Sequence, residues 1–263
     1  MHLLSSSTLE IVGPALAAGL MIALTHAPLG IEVLRRGIIF IDLAIAQIAG
    51  LGLVLANLYW HEPPALVSQG AALVCALLAA AVFRVVEKYL PHEQEAIIGC
   101  AFVLAAATAL LLLADQPHGG EEIQHLLSGQ VLFVTWRDVA LHAPVYASIL
   151  SLWFIWPRIR RGGLFFAIFA MAITSSVQLV GVYVVFSSLI LPALATRLLP
   201  TGSRTPVAML AGGGAVLSGI GIALVVDAPA GPVMVATYAA MALMLRLLTH
   251  GWATRALQKG ANL

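Results

Sequence analysis

The chain is 263 residues long, 61% of them hydrophobic and only 10% charged, with a formal net charge of +1. This near-neutral balance, without basic or aromatic clusters, excludes a nucleic-acid-binding protein. The charges lie between apolar runs of about 20 residues, each long enough to cross a hydrocarbon core roughly 30 Å thick. The composition therefore predicts an all-α, polytopic membrane protein.

The apolar runs divide the chain into eight to nine predicted membrane segments. They fall at Glu10–Pro28, Ile38–Tyr59, Ala65–Phe83, Ala96–Ala114, Val139–Trp156, Leu164–Val180, Tyr183–Thr196, Pro206–Val226 and Pro232–Leu248. The count is nine if the stretch Leu164–Pro200 contains two short helices that meet at Gly181. It is eight if this stretch holds one span and a broken, partly re-entrant helix, which needs protein around its backbone.

The basic residues predict how the chain is oriented in the membrane. Counted alternately from an outer N-terminus, the inner connections contain Arg35, Arg36, Arg84, Lys88, Arg158, Arg160, Arg161, Arg197, Arg204, Arg246, Arg255 and Lys259. Only Arg137 falls outside. Because positively charged loops are retained in the cytoplasm, we expect the N-terminus outside and the C-terminus inside.

The connections between the spans are too short for a soluble domain. The longest, from Asp115 to Asp138, cannot hold a catalytic domain, and no Gly-rich phosphate loop ending in Lys-Ser or Lys-Thr occurs in the sequence. No nucleophile–base pair or His-Glu-x-x-His motif lies inside a span, which argues against an intramembrane enzyme. We expect residues 1–263 to form a single transmembrane domain without catalytic residues or a covalently bound cofactor. If transport uses ATP, another chain must hydrolyse it.

An aspartate lies inside the second predicted span. Asp42 follows Arg36 by six residues, which is about 9 Å along a continuous helix. Acidic side chains inside a membrane usually face the bundle interior, a partner or a water-filled path. Asp42 is therefore a candidate residue of a water-filled path through the bundle. The alternative is that it pairs with Arg35 and Arg36.

The outer connection 115–125 concentrates acidic residues and histidines. If a helix begins after Gly120, Glu121 and His125 lie on one face at i and i+4, and Glu122 lies three residues before His125. Carboxylates and imidazoles are suitable ligands for zinc and manganese. Glu121, Glu122 and His125 are therefore candidates for capturing a metal ion. The alternative is that the two glutamates only stabilise a helix N-terminus.

Five segments follow one another along nearly the whole chain. They are Ala27-Pro-Leu-Gly-Ile-Glu-Val-Leu-Arg-Arg-Gly-Ile-Ile-Phe-Ile-Asp42, Glu95–Gly99, Glu121–Gly129, Leu179–Thr196 and Asp227–Pro232. In this order they resemble the membrane permease subunits of ABC importers for zinc and manganese. The resemblance implies a permease of the bacterial inner membrane that carries zinc or manganese. It also implies a homodimer, a cytoplasmic ABC ATPase and a periplasmic or extracellular metal-binding protein as partners.

The sequence departs from this family in two places. The family usually has a histidine a few residues after the aspartate, where this chain has Ala46 and Gln47. The family also has a cytoplasmic segment before its sixth span that resembles a coupling helix, and here only Pro157–Gly163 is available. Either another inner segment such as Arg84–Glu95 contacts the ATPase, or the chain is a divergent branch or an ATP-independent secondary carrier.

Overall fold

The computed structural model describes residues 6–60, 63–114, 131–160 and 162–260. These residues form nine α-helices and two 3-10 turns, without any strand among them. The helices are α1 (Ser6–Arg36), α2 (Ile41–Tyr59), α3 (Ala65–Tyr89), α4 (Gln94–Leu113), α5 (Trp136–Ile155), α6 (Gly163–Val180), α7 (Val182–Ala195), α8 (Thr201–Val226) and α9 (Ala230–Gly260). The 3-10 turns are Val131–Phe133 and Pro157–Arg160. The predicted all-α class is confirmed.

Eight of the helices in the described part of the chain are long and apolar enough to cross a membrane. The exception is α7, an apolar helix of 14 residues, which is about 21 Å long at 1.5 Å per residue. The prediction of eight to nine membrane segments therefore agrees with eight candidate spans and one shorter helix.

The stretch Leu164–Pro200 forms two helices that meet at Gly181, as one of the two alternatives predicted. Gly181 has φ 79° and ψ 166°, a conformation that is essentially restricted to glycine. Its N–H donates to the carbonyl of Val177 at 2.9 Å, and its own carbonyl accepts from the N–H of Val185 at 3.1 Å. One residue thus ends α6 and begins α7, which packs against α1 and α9.

Polar contacts bring helix termini together at one end of the bundle. They join Arg36 to Glu87, Phe40 to Glu95, and Arg246 to Leu194. We name this the basic end. Because the helices run alternately toward it and away from it, α1 begins at the opposite end and α9 finishes at the basic end.

Two glycines allow helices to approach closely within the chain. A Cβ atom on Gly30 of α1 would lie 1.9 Å from the carbonyl oxygen of Leu189 in α7. A Cβ on Gly219 of α8 would lie 2.7 Å from the hydroxyl of Thr237 in α9. Glycine at these positions therefore lets α7 approach α1 closely and α9 approach α8 closely.

Candidate functional site

Asp42 lies in the first turn of α2 and only 1% of its surface is exposed. Because α1 ends at Arg36 and α2 begins at Ile41, the prediction of one continuous helix from Arg36 to Asp42 is wrong. Within the described residues, neither carboxylate oxygen makes a well-formed hydrogen bond. The backbone N–H groups of Asp42 and Leu43, at the open end of the helix, lie close to the carboxylate. A buried carboxylate without a strong partner is unfavourable and suited to a cation.

A second acidic side chain approaches Asp42 from α4. Glu95 lies near enough for the two carboxylate charges to repel each other. Its Oε1 accepts a hydrogen bond from the N–H of Phe40 at 3.2 Å, while its buried Oε2 has no partner. Carboxylate oxygens with free lone pairs are ligands for hard divalent cations such as manganese. The sequence identified Glu95 as part of the resemblance but did not place it beside Asp42.

The alternative that Asp42 pairs with Arg35 and Arg36 is wrong. Both arginines bind Glu32 on their own helix, at 2.6 Å from Arg35 Nη2 and 2.8 Å from Arg36 Nε. Arg36 Nη1 also lies 2.6 Å from Glu87 in α3. Glu32 on the same helix and Glu87 on α3 therefore make the contacts that the alternative assigned to Asp42.

Arg36 connects several elements at the basic end. Its Nη2 donates to the carbonyl of Arg160 at 2.9 Å. The guanidinium carbon lies 4.2 Å from the centroid of the Phe165 ring, within the range of a cation–π contact. One side chain thus joins α1 and α3 to the Pro157–Arg160 turn and to α6.

His26 is the centre of a buried polar cluster that sequence reasoning missed. Its Nδ1 lies 2.7 Å from Ser188 Oγ in α7, and its Nε2 lies 3.0 Å from Ser176 Oγ in α6. The hydroxyl of Tyr146 in α5 lies 2.7 Å from the same Ser176 oxygen. The available signal was a histidine inside the first predicted span, because ionisable residues within membranes are rare and usually have partners.

A cavity of about 610 Å³ opens at the basic end between α1, α5, α7 and α8. Its charged lining consists of one carboxylate and four guanidinium groups, from Glu32, Arg35, Arg160, Arg197 and Arg204. We name it the arginine cavity. Its excess of positive charge suits an acidic partner.

The inner segment Arg84–Glu95 forms no helix of its own, and its contact with an ATPase stays a prediction. Its first half continues α3 to Tyr89, and α4 begins at Gln94, which leaves only a short turn at 90–93. The helix extends past the predicted span because Arg84 and Glu87 form an ion pair one turn apart. The link before α6 contains one 3-10 turn, Pro157–Arg160, and no coupling helix, as the sequence predicted.

The candidate capture residues Glu121, Glu122 and His125 lie outside the described residues. Within the described ranges, no group of three or more His, Cys, Asp or Glu side chains could hold a metal ion. The outer metal-capture site therefore stays a prediction.

A bundle of eight membrane-length helices defines a multi-pass membrane protein. The sequence profile of the ABC 3 transport family matches residues 8–161 and 157–249. The chain therefore belongs to this family of ABC transporter permeases, which are transport subunits. The two matched pieces meet at residues 157–161, within the short link that lacks a coupling helix.

Two solved structures share the fold. PsaBC from Streptococcus pneumoniae, in complex with Fab, is 19% identical with a TM-score of 0.73, over 93% of this chain and 92% of that chain. A protein described as a metal-chelate type ABC transporter, in an inward-facing conformation, is 17% identical with a TM-score of 0.68. That match covers 95% of this chain and 88% of the other. A search of curated proteins gave no significant match.

Proposed function

We propose that the chain is the permease subunit of an ATP-driven importer for a divalent metal ion, zinc or manganese. The observation that carries this proposal is the buried Asp42 carboxylate, which lacks an ion-pair partner and neighbours Glu95. Family membership supports a transport role, and a solved structure of similar fold is described as a metal-chelate type ABC transporter. The ion is a transported substrate, and the chain itself performs no chemistry.

We propose that two copies of the chain enclose the ion path in a bacterial inner membrane. A metal-binding protein outside the cytoplasmic membrane delivers the ion, and a cytoplasmic ATPase pair switches the permease between outward and inward access. The ion passes Asp42 and Glu95 close to the basic end, where it leaves toward the cytoplasm. Before the ion arrives, the two carboxylates repel each other, which favours ion binding. Because only these two carboxylates are proposed to hold the ion, it can also be released.

The orientation of the basic end toward the cytoplasm is tested by cysteine labelling. In a background with Cys75 and Cys100 replaced by alanine, Arg137→Cys and Glu93→Cys place single thiols at exposed positions on opposite ends of the bundle. A membrane-impermeant maleimide added to intact cells should label Arg137→Cys and spare Glu93→Cys until the cells are opened. The reverse pattern contradicts the orientation.

For the ATPase contact, we propose the arginine cavity as the docking site for an acidic segment of that subunit. The cavity adjoins the Pro157–Arg160 turn, and its four arginines face one glutamate. Arg197→Cys, at the rim of the cavity, should crosslink to a co-expressed ATPase, whereas Glu93→Cys in the turn between α3 and α4 should not. Crosslinking only from Glu93→Cys contradicts this docking site.

Metal uptake in cells that lack their own zinc and manganese importers tests the function itself. The chain is expressed with the ATPase that co-purifies with it, either active or with its phosphate-loop lysine replaced by alanine. Uptake should need both the permease and the active ATPase. Equal uptake with the inactive ATPase supports an ATP-independent secondary carrier, and no uptake of either metal contradicts metal import.

The outer capture hypothesis is tested in the same cells. Replacing Glu121, Glu122 and His125 together with glutamine should lower uptake most when the metal is scarce, because weaker capture is offset by concentration. An equal loss at every metal concentration contradicts capture and indicates a defect in folding or partner docking.

A further inference from the structure

A small polar cavity lies between α3, α5 and α6, apart from Asp42. Its volume is about 230 Å³, which is room for about seven waters at about 30 Å³ each. Its polar lining consists of Gln69, His142, Thr174, Ser175 and Gln178. Gln69 lies near the start of α3, whose other end carries Glu87. The cavity is therefore displaced toward the end of the bundle opposite the basic end, and we name it the His142 cavity.

His142 is buried and held in one tautomer. Its Nδ1 lies 2.8 Å from the backbone carbonyl oxygen of Asp138, one turn earlier on α5. Because a carbonyl oxygen only accepts, Nδ1 carries the proton, so the lone pair of the unprotonated imidazole lies on Nε2. Nε2 makes no hydrogen bond within the described residues. Histidines that ligate metals commonly donate their other ring N–H to a carbonyl in this way.

Thr174 supplies a second free group in the same cavity. Its side chain is 4% exposed, and its Oγ1 has no hydrogen-bond partner in the described part of the protein. Most buried hydroxyls have a partner, so this oxygen is placed to bond a ligand or the water around an ion. The adjacent Ser175 hydroxyl makes no well-formed hydrogen bond within the described residues, although it interacts with Tyr146.

Two glutamines show which way the cavity opens. Gln178 is exposed and Gln69 is half-buried, and both lie within helices that are long enough to span the membrane. Amide groups facing hydrocarbon are unfavourable because lipid tails offer no hydrogen bonds. Water against this face would bond both amides and give an ion access to His142.

We propose that the His142 cavity is a transient site for a partly hydrated divalent transition-metal ion. The ion binds His142 Nε2 directly, and its remaining waters bond Thr174 and the glutamine amides. The described lining includes no carboxylate, so the charge of the ion is not neutralised and binding is weak. Weak binding suits a site that must pass the ion on. The choice of zinc and manganese as ligands rests on the proposed function, whereas the site itself rests on the geometry.

Chemical modification of His142 in the purified full chain tests the site without an ATPase or transport. Diethyl pyrocarbonate acylates the unprotonated imidazole nitrogen, and peptide mass spectrometry reports each histidine separately. We expect His142 to react in a metal chelator and to be protected saturably by zinc chloride or manganese chloride alone. His92, in the exposed turn between α3 and α4, is the internal control and should react equally in both conditions.

Matched variants distinguish the cavity from a single exposed imidazole. Thr174→Val removes the free hydroxyl and should raise the metal concentration for half-protection of His142 about fivefold, the effect of one lost hydrogen bond. Thr108→Val removes a hydroxyl that bonds the Leu104 carbonyl on α4 and should leave this concentration unchanged.

Three results overturn the site. They are no reaction of His142 without metal, equal protection of His142 and His92, and no shift in Thr174→Val. Protection of His142 in a chain that supports no metal uptake would leave the site standing and contradict only the proposed function. Normal metal uptake without protection of His142 would contradict the site and leave the proposed function standing.

Discussion

His26 Nδ1 lies 2.7 Å from Ser188 Oγ, although 162 residues separate the two in the chain. The contact joins α1 to α7, the short helix that begins immediately after Gly181. Because Nε2 of the same imidazole reaches Ser176 on α6, one side chain spans the break between α6 and α7. The His26 side chain of α1 therefore holds α6 and α7 at their relative angle, and no loop lies between these two helices to do so.

Replacing His26 should destabilise the fold without removing any charge pair. His26→Leu removes the hydrogen bonds to Ser176 and Ser188, whose hydroxyls can still donate to the carbonyls of Ala172 and Val185. We expect the free energy of unfolding, measured by denaturing-detergent titration in mixed micelles, to fall by about 2 kcal/mol.

The control for this change is Ser148→Ala on α5. Its exposed hydroxyl bonds only the carbonyl of Pro144 on the same helix, so the free energy of unfolding should stay within about 0.5 kcal/mol of the original. Equal stability of His26→Leu and the original chain would show that the buried cluster contributes nothing to joining the helices.

Helix number and class could be predicted from the sequence because membrane spans are set by length and hydropathy alone. Helix ends were less accessible. The sequence placed the end of the third span at Phe83, but α3 continues to Tyr89 because Arg84 and Glu87 pair across one turn. A charged residue ends a hydropathy run without ending a helix, so the first half of Arg84–Glu95 belongs to α3 and the segment has no helix of its own.

Gly30 should tolerate no larger residue. A Cβ on Gly30 would lie 1.9 Å from the Leu189 carbonyl oxygen, which belongs to the backbone and cannot rotate away. Gly30→Ala therefore forces α1 and α7 apart, and we expect a loss of about 3 kcal/mol in the free energy of unfolding.

Gly99→Ala on α4 is the matched control, because nothing lies within 4 Å of its added Cβ. Alanine favours a helix over glycine by about 1 kcal/mol, so this variant should be unchanged or slightly more stable in the same titration. A Gly30→Ala protein as stable as Gly99→Ala would contradict the close approach of α1 and α7.

Arg36 should matter far more than its neighbour Arg35. The Arg36 side chain is 11% exposed and binds Glu32 and Glu87, whereas the Arg35 side chain is 64% exposed and binds Glu32 alone. Arg36→Met removes the cation that Glu32 and Glu87 share and the donor to the Arg160 carbonyl, so it should lower the free energy of unfolding by about 2 kcal/mol even though Arg35 and Arg84 still pair with the two glutamates.

Arg35→Met should cost less than about 1 kcal/mol, because exposed ion pairs contribute little. Equal losses for Arg35→Met and Arg36→Met would contradict the central position of Arg36 at the basic end.

The candidate site was only partly accessible from sequence, because its members come from separate helices. Asp42 was identifiable as an acid among apolar residues, but its neighbour Glu95 lies at the start of another helix and was identified only as part of the resemblance. His26 depends on serines of α6 and α7, and a serine in an apolar run carries no pattern of its own. Only tertiary packing shows which polar residues share one place.

Asp42→Asn tests whether the carboxylate lies on the ion path. The substitution keeps the shape of the side chain and breaks no ion pair, because Arg35 and Arg36 bind Glu32 instead. Membrane abundance and the free energy of unfolding should therefore stay near those of the original chain. Zinc or manganese uptake should fall at least about tenfold, because losing a charged ligand costs about 1.4 kcal/mol or more.

The control is Glu93→Gln, which changes an exposed acid in the turn before α4 and should leave uptake unchanged. Normal uptake in Asp42→Asn, or a loss that follows lower abundance, would assign Asp42 a structural role at the start of α2.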